Sequence, residues 1–264
     1  MSASVEALKT ADATRRVPFG QAEALVFQNR AAMAKAAARA IADEMLRVAG
    51  MQPKVRMVFA AAPSQSDVLH VLTTMPELPW DQVVAFHMDD YLDLPAEAPQ
   101  RFANWLEAHL FSKVPLGEVH PIPATGDSID ICRSYAAKLA EAPIDIVCLG
   151  IGVNGHIAFN DPPVADFDDP QSVKVVELDR VCRQQQVDDE CFASIDEVPA
   201  KAITLTIPRL LDANALFCVV PGAHKRAAVT AAIEGPLTTA CPASVLRNHS
   251  NCTLFLDPEA DPNG

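Results

Sequence analysis

Positive charge is scarce in this chain of 264 residues: 21 Lys and Arg stand against 34 Asp and Glu, a formal net charge of -13. Such a balance repels nucleic acid and anionic lipid at long range, so neither is expected as a partner, and an anionic substrate needs a local positive pocket. Paired cysteine spacing is also missing. The seven cysteines are odd in number, widely spread and without any C-x-x-C pair, which speaks against a disulfide framework and against a zinc knuckle. No stretch of eighteen apolar residues occurs, and the first twenty residues lack a basic start followed by an apolar core. The expectation is a cytoplasmic protein with reduced thiols, no membrane span and no secretion signal. The chain shows neither an internal repeat nor a low-complexity linker.

What is present is apolar residue in quantity, half of the chain, enough for a substantial core. Residues 1–20 are polar and unpatterned and are expected to form a loosely attached arm; residues 21–264 read as one domain. Gln21–Ala49 reads as a long helix with Met33, Ala37, Ile41, Met45 and Val48 along one stripe. Apolar runs at Val55–Ala61, Val83–His87, Ile144–Cys148, Val173–Leu178, Ala202–Thr206, Ala215–Val220 and Cys252–Leu256 read as strands. Between them lie helical patterns at Val68–Thr74, Gln100–Phe111, Asp127–Glu141 and Asp179–Cys191. The third of these is capped by Asp127 and expected to bury Ile129, Cys132, Ala136 and Leu139. Val119–Pro123 is, with its prolines, an edge segment at most. Strands alternating with helices predict a single three-layer α/β/α domain around a mainly parallel, Rossmann-like sheet.

One stretch carries the densest chemistry. Leu149–Pro163, LGIGVNGHIAFNDPP, leaves the carboxyl end of a strand, the edge where open α/β sheets collect ligands. Glycines there let the backbone approach a ligand, and His156 and Asp161 offer an acid/base pair. The same residues also suit a plain strand-to-helix turn whose His and Asp satisfy backbone groups. The adjacent Asp89 and Asp90 at the end of Val83–His87 favour chemistry: two neighbouring carboxylates repel each other and raise one pKa, as a proton-shuttling base requires. Ser64 and Ser66, after the first of these strands, and Lys225, at a helix start, are placed to meet a phosphate.

Taken together these residues resemble the glucosamine-6-phosphate deaminase/isomerase family. The matching pieces are AFHMDDYLDLP at 85–95, LGIGVNGHIAFNDP at 149–162, VPAKAITLTIPRLLDA at 198–213 and VVPGAHKRAAVTAAIEGP at 219–236, and the likeness spans roughly residues 20–257. The resemblance implies an enzyme, an isomerising deaminase that converts a 2-amino-2-deoxyhexose 6-phosphate, glucosamine 6-phosphate first, to fructose 6-phosphate and ammonia without metal or organic cofactor. It implies that Asp89 moves the C2 proton toward C1, that His156 opens the sugar ring, that Asp161 helps set the protonation of the imidazole, and that Lys225 holds the phosphate. Asn154 joins the catalytic candidates; Asp90, Ser64, Ser66, Gly155 and Gln185 join Lys225 as substrate-binding candidates. The related 6-phosphogluconolactonases share the Gly-x-Gly-x-x-Gly-His element. A sugar-phosphate lactonase is therefore one alternative, and a catalytically weak sugar-phosphate sensor another.

Three positions depart from the family pattern. Asn154 stands where well-known members carry the Asp of Asp-Gly-His, and an amide cannot take up a proton from the imidazole. Ala62-Pro63-Ser64-Gln65-Ser66 replaces a Thr-Gly-Gly phosphate loop. Gln185 falls where a phosphate-holding arginine is expected, with Arg180 and Arg183 within about one turn of it. The sequence leaves open whether copies of the chain associate as a homo-oligomer.

Overall fold

A computed structural model describes residues 12–264. In chain order its regular elements are β1 (Ala13–Phe19), β2 (Ala22–Phe27), α1 (Arg30–Ala49), β3 (Val55–Phe59), α2 (Ser66–Thr74), β4 (Val83–His87) and β5 (Asp89–Tyr91). Then follow α3 (Phe102–Leu106), which continues as a π-helical turn over Glu107–Phe111, β6 (Glu118–His120), α4 (Ser128–Leu139), β7 (Ile144–Leu149), β8 (Val173–Glu177) and α5 (Arg180–Asp188). The chain ends with β9 (Lys201–Leu205), α6 (Ile207–Leu211), β10 (Ala213–Val220), α7 (Arg226–Glu234) and β11 (Cys252–Leu256).

The main sheet has the order β1-β2-β11-β10-β7-β3-β4-β6, parallel throughout except for the antiparallel β1–β2 pair. Its inner strands are buried on both faces, as a sheet covered by helices demands. Alternate residues sort accordingly. Val55, Met57 and Phe59 of β3 and Phe217 and Val219 of β10 pack with α1 and α2, whereas Val58, Leu216, Cys218 and Val220 pack with α4 and α7. That division is the three-layer α/β/α architecture expected from the sequence. Among the described residues no helix is long and apolar enough to cross a membrane.

The sequence reading and the structure part at four places. Where a loose arm is expected over 1–20, residues 13–19 form the edge strand β1, and residues 1–11 lie outside the described residues. The helix expected from Gln21 starts at Arg30, because Asn29 caps it by accepting from the Ala32 N–H at 2.9 Å, while Ala22–Phe27 pairs into the sheet. Third, β5, β8 and β9 leave the main sheet and form a small antiparallel sheet of their own. Finally, α4 buries Ile131, Cys132, Tyr135 and Leu139, and Ile129 in its first turn is 64% exposed.

The chain runs outward from β3 through β4 to β6, then returns to β7 beside β3 and runs the other way through β10 to β11. The reversal between β3 and β7 opens a crevice beyond their carboxyl ends, the place where sheets of this kind bind ligands.

Candidate active site

A cavity of about 460 Å³ occupies that crevice. The residues following four parallel strands meet in it: Ser64 and Gln65 after β3, Asp89 after β4, Gly150 and Gly152 after β7, and Lys225 after β10. Phe102, Trp105 and Phe159 give it an aromatic wall, and Gln185, Gln186 and Asp189 from the α5 region close another side.

Asp89 is 5% exposed, and its carboxylate makes no hydrogen bond or ion pair among the described residues. Burial pushes its pKa well above the usual carboxylate range, with the charges of Asp90 and Asp161 adding to the effect. The backbone beneath it is fixed by His87, whose Nδ1–H donates to the Asp89 carbonyl at 2.9 Å while Nε2 accepts from the Ile122 N–H at 2.7 Å. The accepting Nε2 requires the neutral ring, and burial lowers the His87 pKa to match.

Asp90 points the other way. It pairs with buried Arg101 at 2.9 Å and accepts from the N–H groups of Phe102 and Ala103 at the start of α3. Adjacent residues of a strand face opposite sides, so the two carboxylates divide: Asp89 lines the cavity and Asp90 anchors the fold.

His156 lies against the cavity with Asp161 behind it, Nδ1 and Oδ1 2.9 Å apart. The two atoms stand at hydrogen-bond distance, although the angles are not those of an aligned bond. Burial alone would raise the Asp161 pKa. The His156 contact, the Asn154 amide and the Asp179 N–H outweigh it and hold Asp161 below the usual value. Gly152 makes room for the ring: a Cβ there would sit 2.1 Å from the imidazole. Asn154 braces the arrangement from behind. Its Nδ2 donates to Asp161 Oδ1 at 3.0 Å, and its Oδ1 accepts from the His156 N–H at 3.1 Å.

The remaining candidates separate. Ser64 lines the cavity, whereas Ser66 is the first residue of α2. Gly155 serves the loop, with φ of 83° and a Cβ direction that would meet Cys241 Sγ at 2.7 Å. Gln185 lines the cavity, accepts from the Val153 N–H at 2.9 Å and donates to Asp189 at 3.1 Å. Lys225 is 3% exposed; its backbone N–H donates to the Gly222 carbonyl at 3.0 Å, and its ammonium makes no hydrogen bond or ion pair among the described residues. Burial lowers its pKa to about 8, opposed by the charge of Asp189. Sequence reasoning misses Gln65, Gln186, Asp189 and His87. Gln65 is 3% exposed and donates to Ser64 Oγ and to the Val219 carbonyl, both at 3.2 Å, and Gln186 accepts from the Tyr91 hydroxyl at 2.8 Å. No spacing in the sequence marks them, although His87 sits at the end of a buried strand where only a partnered ring is stable.

Comparison with known proteins gives the family. Residues 28–255 match the family of glucosamine-6-phosphate isomerases and 6-phosphogluconolactonases. A glucosamine-6-phosphate deaminase of Lactobacillus delbrueckii subsp. bulgaricus is 35% identical over 185 residues, 70% of this chain and 77% of that protein. One from Exiguobacterium sibiricum is 34% identical over 67% of this chain and 69% of its own. Among solved structures, a monomeric glucosamine-6-phosphate deaminase superposes with a TM-score of 0.83 at 26% identity, covering 91% of this chain and 99% of its own. A 6-phosphogluconolactonase from Thermotoga maritima shares the fold with a TM-score of 0.71 at 19% identity, over 89% of this chain and 98% of its own. The chain belongs to the glucosamine-6-phosphate isomerase/6-phosphogluconolactonase family.

Proposed function

We propose that this protein is an isomerising deaminase that converts glucosamine 6-phosphate to fructose 6-phosphate and ammonia. The observation that carries the reading is the meeting, in one cavity, of an unpaired buried carboxylate with a raised pKa and an imidazole backed by a second carboxylate. The reaction needs both. A closed amino sugar must open, which calls for a proton to move between the anomeric hydroxyl and the ring oxygen; His156 is the group for this transfer. The open aldehyde then loses its C2 proton and gains one at C1, and Asp89, basic enough to take a proton and buried enough to keep it from solvent, carries it across. The ketimine so formed adds water and releases ammonia. Lys225, with Ser64 beside it in the cavity wall, meets the phosphate end.

Similarity to the deaminases at 34–35% identity supports the substrate, whereas the Thermotoga maritima lactonase is 19% identical. The discriminating experiment supplies glucosamine 6-phosphate and 6-phosphogluconolactone separately. Ammonia and fructose 6-phosphate in equal amounts from the first is the expected result. Acid release from the lactone without ammonia from the amino sugar would overturn the proposal.

A further inference from the structure

His156 Nδ1, an Asp161 carboxylate oxygen and Cys182 Sγ lie within 4.8 Å of one another, and all three side chains are buried. The deamination route uses the first two and leaves the thiol without a task. We propose that these three side chains bind a soft divalent cation of the Zn²⁺ class, and that this binding reversibly inhibits the enzyme.

Imidazole nitrogen, carboxylate oxygen and thiolate sulfur are the donors that zinc takes. Two further observations point to a cation here. Nδ1 is buried 2.9 Å from Asp161 Oδ1 without the angles of an aligned hydrogen bond, so a cation can take the place of the Nδ1 proton between the two donors. Cys182 is surrounded by the charges of Asp161, Asp89 and Asp179, which together with burial keep the free thiol protonated, and the partners of Asp161 are the His156 ring, the Asn154 amide, the Asp179 N–H and the Cys182 thiol itself, none of them a permanent cation. A divalent ion would neutralise this cluster. Tetrahedral zinc, with bonds of about 2.0–2.3 Å, holds neighbouring donors about 3.3–3.8 Å apart. The His156–Asp161 contact must open by about 0.5 Å and the thiol must close by about 1 Å at most, changes within the reach of side-chain rotation. Three protein donors leave the fourth place to water.

On binding, the Cys182 thiol releases its proton to solvent as the S–Zn bond forms and the Nδ1 proton passes to Nε2 as the N–Zn bond forms; the carboxylate binds through an existing lone pair, and nothing is oxidised or reduced. A ring tied to metal through Nδ1, with Asp161 engaged beside it, cannot exchange protons with the sugar. The inhibitory consequence therefore rests on the proposed role of His156, whereas the binding does not.

The test uses the full-length protein and separates the two. Titration with Co²⁺ should give a near-ultraviolet thiolate-to-cobalt charge-transfer band saturating at one equivalent, and Cys182→Ser should lose it while Cys191→Ser keeps it. Zn²⁺ should inhibit ammonia release by the wild type at a concentration at least tenfold lower than it inhibits Cys182→Ser, each compared with its own metal-free rate. Crystals of the wild type soaked in Zn²⁺ provide a measurement free of any variant, with an anomalous peak expected among the three side chains. A band retained in Cys182→Ser, or an anomalous map with no peak at this position, would overturn the site. Binding at the site without inhibition would instead count against the catalytic role of His156.

Discussion

Asn154→Asp places a carboxylate at residue 154, and the structure defines what that carboxylate would meet. The amide donates to Asp161 Oδ1 at 3.0 Å. Two ionised oxygens at that separation repel by about 5 kcal/mol at an effective dielectric near 20. The variant escapes most of this by keeping one proton on the pair, at about 1.4 kcal/mol for each pH unit above the pKa. The repulsion thus caps the pKa rise at about 4 units, and the half-exposed position of residue 154 reduces it to about 2. The folded state then binds more protons than the unfolded chain between about pH 4 and pH 6, so stability falls as pH rises through that window. The loss amounts to about 3 kcal/mol at neutral pH, or about 6–10 °C in melting temperature for a chain of this size. Thermal unfolding of wild type and variant from pH 4 to pH 7, followed by circular dichroism, measures it directly. A difference in melting temperature that stays constant over this range would refute the reasoning. Above the window the added charge should raise the His156 pKa and speed turnover of the closed sugar, leaving an acyclic analogue unaffected because it bypasses ring opening. Slower turnover of both would mean that the two hydrogen bonds of the amide matter more than charge.

Asp89→Asn should reduce ammonia release below a tenth of wild type with substrate binding retained, since an amide keeps the shape but cannot take the C2 proton; calorimetric binding alongside the rate checks both halves. Lys225→Ala should raise KM for glucosamine 6-phosphate by about tenfold or more, because hydrogen bonds to charged groups contribute roughly 1.5–3 kcal/mol, and an unchanged KM would remove Lys225 from phosphate recognition. In the wild type, kcat/KM should rise with pH as Asp89 ionises and fall again near pH 8 as Lys225 loses its proton; Lys225→Arg should move the alkaline fall upward by more than one unit. Gly152→Ala should abolish turnover with the melting temperature little changed, since the new methyl displaces the His156 ring rather than the core; wild-type rates in this variant would show that the ring position is not critical.

The main sheet is legible in the sequence because strands buried on both faces must be continuous apolar runs, and β3, β4, β7, β10 and β11 are such runs. The first two strands are not. β1 carries Arg15 and Arg16 and buries only Phe19, as an edge strand can, and so reads as an arm; β2 is built of Ala, Glu, Leu, Val and Phe, which join smoothly onto the helical stripe of α1. The informative residue there is Asn29, an N-cap type placed ahead of an alanine-rich run. The small sheet is hidden for another reason. β5 pairs with β9 across more than a hundred residues, and an apolar run declares neither its direction nor its partner.

At the site, sequence adjacency and spatial adjacency are different things. Asp89 and Asp90 read as a pair, yet the period of two along a strand sends Asp90 to Arg101 and the start of α3. Its charge is neutralised there, so it acts on Asp89 only as a secondary influence behind burial. Asp161 is the reverse case: 72 positions from Asp89 in the chain, it raises the pKa of Asp89 while its own is held down by His156 and Asn154. Two carboxylates at one cavity thus differ in proton affinity, which is what separate roles require. The Asn154 amide sustains that difference. It donates a hydrogen bond to Asp161 without bringing a third negative charge into the cluster, so at this position the departure from the family pattern also stabilises the ionised acid behind the imidazole.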